Sequence, residues 1–182
     1  MLRRRTYSKE VDSGKYQVCY ADSGFLVSSD YGRTWKEAGK YSYCMGEDYD
    51  LAMSADGRYR FCSANAAVTS SDYGNTWREI SATWKCSNME MSGDGRYLLG
   101  YFVQNYSGGV FLSSDYGNTW KEILVGKAKE VKDCAISRDG RYMTVVLGRY
   151  NEFYYITTDY GVTWEELSFG TRTGTYRITM NR

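Results

Sequence analysis

Between residues 50 and 80, apolar and polar positions alternate in four short runs, each bounded by turn-forming residues. The runs cover 50–54, 59–63, 67–70 and 76–80. Alternation with a period of two puts successive side chains on opposite faces of a pleated strand, so the segment predicts four antiparallel strands. Asp56-Gly57 closes the first pair, because Asp-Gly between alternating runs marks a hairpin. The run Ser70-Ser71-Asp72-Tyr73-Gly74-Asn75-Thr76-Trp77 turns the third strand into the fourth. The same order returns at 88–92, 97–103, 110–114 and 119–124, and again at 131–137, 142–147, 153–158 and 163–167. The chain is an array of one unit. Asp30, Asp72, Asp115 and Asp159 mark it at steps of 42, 43 and 44 residues, inside the range for solenoids and propellers.

The first copy supplies three strands, at 15–20, 25–29 and 34–38, and residues 6–11 are too polar to read as its missing inner one. Residues 1–11 are therefore set apart as a tail, and 12–182 as a single domain. Aligned from Trp164, residues 178–181 fall where 51–54, 89–92 and 134–137 fall. The expected fold is all-β: a propeller of four four-stranded antiparallel blades, closed by a C-terminal strand at 176–181 that completes the N-terminal blade. Such closure removes exposed sheet edges. Two chains joined head to tail in an eight-bladed ring are the alternative.

Composition narrows the functional classes. A hydrophobic content of 42 % and an aromatic content of 16 % suffice for a core, and a formal net charge of +1 argues against a broad nucleic-acid surface. No apolar run is long enough to insert in a membrane, and the N-terminus has no apolar stretch of the secretory kind. The five Cys occupy positions where other copies carry small or apolar residues, so they read as reduced hydrophobes. With no His in the chain and no close Cys pairs, neither a metal nor another cofactor is expected.

The form Ser/Thr-x-Asp-x-Gly-x-Thr-Trp occurs four times and resembles the Asp-box, or bacterial neuraminidase repeat, of sialidase-like propellers. The resemblance covers residues 12–182. It implies a folding device remote from any ligand, built on Asp30, Gly32 and Trp35, Asp72, Gly74 and Trp77, Asp115, Gly117 and Trp120, and Asp159, Gly161 and Trp164. Near-identical tandem copies also look like those of phage and large-virus proteins, which implies a virion or host-attachment setting. The enzymes of the resembling family use an arginine cluster and a Tyr nucleophile assisted by Glu. This chain has no Pro, so it lacks their Arg-Ile-Pro type motif, and no Tyr-Glu arrangement follows from spacing. A glycoside hydrolase is kept as an alternative, with Asp48, Asp50, Glu130 and Glu152 as unassigned carboxylates; the expectation is that the chain is not an enzyme.

Strand direction then divides the turns. The Asp-Gly turns and Asp motifs share one end of the sheets, while the second turns and inter-unit connections share the other, where the copies stop agreeing. Uniform turns scaffold and varied loops select partners. The candidate binding residues are Trp84, Tyr43, Tyr49, Tyr106, Arg149, Tyr150 and Asn151, aromatic faces and hydrogen-bonding groups suited to a glycan or protein surface. Capping of the blade ends is the competing reading for each ring. Arg58, Arg96 and Arg141 in the Asp-Gly-Arg-Tyr turns are a second candidate, as a ring of cations around an anion.

Overall fold

The computed structural model describes residues 8–10, 14–21, 24–37, 50–63, 66–81, 85–104, 107–127, 131–148, 153–167, 178 and 180. Every regular element among them is a strand. The first sheet holds β1 (Ser8–Glu10), β2 (Gln17–Ala21), β3 (Gly24–Ser28) and β4 (Lys36–Glu37). The second holds β5 (Asp50–Met53), β6 (Arg60–Ser63), β7 (Ala67–Ser70) and β8 (Arg78–Ser81). The third holds β9 (Lys85–Met91), β10 (Leu98–Gln104), β11 (Ser107–Ser113) and β12 (Lys121–Ile123), and the fourth β13 (Val131–Ile136), β14 (Met143–Leu147), β15 (Phe153–Thr157) and β16 (Glu165–Leu167). All pairs are antiparallel and follow chain order, as the alternation predicts.

The sheets meet along their first strands. Asp50 accepts the Leu51 amide at 2.8 Å through Oδ1 and the Met89 amide through Oδ2, which ties β5 to β9. The amide of Ala55 donates to Gly93 O, and that of Gly93 to Arg138 O, both at 2.7 Å. These links lie at the inner edge, so the sheets fan out from a common axis. Between them sit three apolar clusters. Val18, Phe25, Leu51, Met53, Cys62 and Val68 fill the first gap. Ala52, Phe61, Cys86, Met89, Leu98 and Phe102 are central to the second, and Leu99, Val110, Cys134, Met143, Val145 and Leu147 to the third. Alternate residues of one strand serve opposite gaps: Phe61 faces the third sheet and its neighbour Cys62 the first. An inner sheet of this kind is apolar on both sides, which is why β6 is buried throughout.

Two readings need correction. Residues 8–10 do not belong to a tail: Ser8, Lys9 and Glu10 pair with Cys19, Val18 and Gln17, and β1 is the inner strand of the first sheet. A ladder is built from main-chain donors and acceptors, so a Ser-Lys-Glu segment pairs despite its polarity. The place beside β2 assigned to residues 176–181 is thus held by β1. Of that segment the structure describes Ile178 and Met180, outside any strand. The Ile178 amide donates to Asp133 Oδ2 at 2.7 Å while Asp133 Oδ1 accepts the Cys134 amide at 3.0 Å. That repeats Asp50 with Met89 and Leu51, and it puts Ile178 one step past β13, in line with its alignment to Met89 and Cys134.

Candidate functional site

The four Asp turns have one internal wiring. In the second sheet, Ser70 Oγ donates to Asp72 Oδ1 at 2.9 Å and accepts the Gly74 amide at 2.9 Å. Asp72 then takes the Thr76 amide and hydroxyl at 2.8 and 2.6 Å, and the Trp77 indole closes onto Gly74 O at 3.0 Å. Asp30, Asp115 and Asp159 repeat this with Thr34, Thr119 and Thr163. The Thr34 hydroxyl, followed by the Thr34 amide, holds the Asp30 carboxyl at about 2. Hydrogen bonds from Thr157 and then Thr163 hold Asp159 at about 2. Burial works the other way at Asp72 and Asp115, yet the hydrogen bonds from Thr76 and Thr119 prevail and both carboxyls lie below their ordinary value. Glycine takes positive φ here as the motif requires. The residue before it does so too: Tyr31, Tyr73, Tyr116 and Tyr160 have φ of 64°, 63°, 63° and 62°, a region costly for a bulky side chain.

Three of the strained tyrosines link neighbouring sheets. Tyr73 stacks on Tyr16, Tyr116 on Tyr59 and Tyr160 on Tyr97, with ring centroids 5.1, 4.5 and 5.3 Å apart. Beneath each pair lies a glycine of the next Asp-Gly turn. A Cβ at Gly57, Gly95 or Gly140 would come within 2.4, 2.6 or 2.3 Å of Tyr16, Tyr59 or Tyr97. The same tyrosines line clefts that open between sheets on this end. One, of about 230 Å³ between the first and second sheets, is bounded by Tyr16, Val27, Thr34, Lys36, Tyr73 and Asn75. Another, of about 370 Å³ between the second and third, is bounded by Arg58, Tyr59, Thr69, Trp77, Arg78, Tyr116 and Asn118 together with turn hydroxyls. Sequence reasoning misses these clefts, since their walls come from residues 40 or more positions apart.

The arginines at 58, 96 and 141 do not converge as a ring. Each donates Nε to the carbonyl of its own sheet's Asp turn, at Ser71, Ser114 and Thr158, at 3.0 to 3.2 Å. Each also lies over the tyrosine that follows it. Their shared role is to clamp two turns of one sheet. Asp50, read as an unassigned carboxylate, is occupied by main-chain amides at the axis. A Tyr-Glu pair that spacing did not reveal joins β15 to β16, Tyr155 hydroxyl to Glu166 Oε2 at 2.6 Å, and Lys127 Nζ reaches the same oxygen at 3.1 Å. Burial and then Glu166 push the Tyr155 phenol up, so it keeps its proton. The trio fastens the turn after β12 to the fourth sheet.

Trp84, Tyr43, Tyr49, Tyr106, Arg149, Tyr150 and Asn151 all lie outside the described residues, as do Asp48, Glu130, Glu152 and Cys44. Cys19, Cys62, Cys86 and Cys134 are not joined in disulfides. Among the described residues, no three His, Cys, Asp or Glu side chains gather as metal ligands.

No family model matches the chain, and no curated protein matches it in sequence. Solved structures do match in shape. A GH74 xyloglucanase from Xanthomonas campestris superposes with a TM-score of 0.64 at 13% identity, over 87% of this chain and 29% of the enzyme. TolB from Acinetobacter baumannii gives 0.63 at 14%, over 92% and 44%. YCF48 bound to D1 peptide gives 0.53 at 15%, over 93% and 59%.

The fold is a β-propeller.

Its four sheets are blades, and the chain spans less than two thirds of each of these proteins. The expectation that the chain is not an enzyme is overturned by the likeness to GH74 glycoside hydrolases. At this identity the likeness fixes the fold alone, and this fold is shared by hydrolases and peptide-bound proteins.

Proposed function

We propose that this propeller is a recognition module of the Asp-box kind that engages a glycan or protein surface through its variable loops, in a setting such as host attachment. The observation that carries the reading is the segregation of turns. The Tyr31, Tyr73, Tyr116 and Tyr160 amides each donate to the first-turn carbonyl of their own blade, at Lys15, Arg58, Arg96 and Arg141. Every regular turn therefore sits at one end. On this reading the connections that differ in length and chemistry, with Trp84, Tyr43, Tyr49, Tyr106, Arg149, Tyr150 and Asn151, serve recognition. The similarity to YCF48 bound to D1 peptide and to a xyloglucanase supports both partner classes.

The test is a printed array of glycans and peptides probed with labelled protein, followed by Trp84→Ala on each hit. Retention of at least one ligand class is expected, with about a ten-fold weaker affinity in the variant, the scale of one buried aromatic anchor. An empty array, or hits indifferent to Trp84→Ala, would sink the reading. Cleavage of an arrayed glycan would replace recognition with hydrolysis.

A further inference from the structure

The repeat supplies its own control for the clefts on the regular face. The gap between the second and third blades differs from both of its counterparts at two positions that face it, Thr69 and Arg78. Where the first gap has Val27 and the third Leu112, the second has Thr69. A Cβ at Gly74 would come within 2.9 Å of Val27, and one at Gly161 within 2.4 Å of Leu112. At Gly117 the nearest atom across the gap is Thr69 at 3.9 Å. The aliphatic wedge is missing and the space beside Gly117 is open, which accounts for the larger volume.

The same gap concentrates donors. Arg58 stands where the first blade has Lys15 and the third Arg96, and Arg78 where the first and third blades have Lys36 and Lys121; only this gap has an arginine at both places. Asn118 corresponds to Asn75 in the first gap and Val162 in the third. Arg78 Nη2 is anchored to Gly117 O at 3.0 Å and Asn118 Oδ1 at 3.2 Å, and Arg58 is anchored through Nε alone. Both Nη groups of Arg58, and Nε and Nη1 of Arg78, have no protein acceptor among the described residues. No carboxylate lines the cleft. The Ser70 and Thr76 hydroxyls on this wall donate to Asp72, so two pre-positioned guanidinium groups, with Tyr and Trp walls, form the complement to an oxyanion. At about 370 Å³ the space admits one ring-sized ligand.

We propose that the cleft between the second and third blades binds an oxyanion carried by a small ligand the size of a sugar ring. Arg58 and Arg78 contact the charge, and Thr69 and Asn118 set the width of the opening. The site lies on the end that carries the Asp turns and does not depend on the loop residues proposed above for recognition.

Titration of the full chain with sodium sulfate, sodium glucuronate and glucose at fixed ionic strength tests this, read by indole and side-chain amide NMR signals and by calorimetry. Saturable binding of an anion, with a dissociation constant on the order of 1 mM, is expected for the wild type. A loss of about ten-fold is expected in both Arg58→Gln and Arg78→Gln, and none in Lys36→Gln of the smaller cleft. Glucuronate binding at least as tightly as sulfate supports an anion carried on a ring, whereas binding of sulfate alone would overturn the ring-sized ligand. The unfolding midpoint of each variant separates misfolding from lost binding, and Arg78→Gln leaves the Arg58 clamp intact. Equal binding of glucose, no saturation by either anion, or unchanged affinity in a folded Arg78→Gln would overturn the proposal.

Discussion

Arg60 is 1 % exposed in a strand where the third and fourth blades carry Leu98 and Met143. Its Nε donates to Gly57 O at 2.9 Å and Nη1 to Gln17 O at 3.4 Å, but Nη2 has no acceptor. Burial lowers its pKa, since the charged form loses hydration that the nearby Asp72 carboxylate only partly offsets. Exchange for an apolar side chain of similar length removes that cost. Arg60→Met is expected to stabilise the protein by about 1–2 kcal/mol in urea unfolding. A less stable variant would show that the Gly57 and Gln17 carbonyls depend on the guanidinium. Alternation along 59–63 does not by itself say whether Arg60 faces solvent or a neighbouring blade. The structure decides it, because β6 is packed on both sides.

At the level of the element, the hairpin joints matter most. Strand positions were legible because alternation and Asp-Gly turns act locally; β1 was not, because main-chain pairing leaves little trace in a polar triplet. The role of Tyr31, Tyr73, Tyr116 and Tyr160 was hidden for a different reason. Their left-handed backbone is imposed by the wiring of Ser, Asp and Thr around them, and the stacking partners of Tyr73, Tyr116 and Tyr160 belong to the preceding blade. Gly95 joins both constraints, with φ of 78° and Tyr59 within 2.6 Å of a hypothetical Cβ. Gly95→Ala is expected to cost about 1–3 kcal/mol from backbone strain alone, with the steric term added. Chemical denaturation of the variant measures it, and Gly126→Ala, with φ of 74° and nothing within 4 Å, isolates the backbone share. Equal costs at the two sites would mean that the Tyr59 contact contributes nothing.

For the whole molecule, repetition turns a local property into a collective one. The carboxyls of Asp30 and Asp159 sit at about 2, below their unfolded value near 4, and Asp72 and Asp115 are displaced the same way. A group whose pKa falls on folding contributes stability that is complete above its unfolded pKa and disappears as pH drops through the folded one. The protein is therefore expected to hold its unfolding midpoint down to about pH 4 and lose stability steeply between about pH 4 and 2. Thermal scans across that window check it, and Thr34→Val together with Thr163→Val should flatten the slope. An unchanged slope would show that the turns do not govern acid sensitivity. The propeller architecture itself was readable, because the period of the Asp turns and four strands per period leave few arrangements. The chemistry of the face was not, because a cleft between blades depends on which residues meet across a gap.

Each tyrosine fits the glycine of the following blade by the same geometry, whichever pair is taken. A gene segment copied in frame would therefore bring both halves of a working seam with it, and the duplicate would dock without inventing a contact. Novelty then needs few steps. Replacing an aliphatic wedge by Thr and a lysine by Arg, as at Thr69 and Arg78, converts one seam among equals into a receptor while the rest keep the molecule standing.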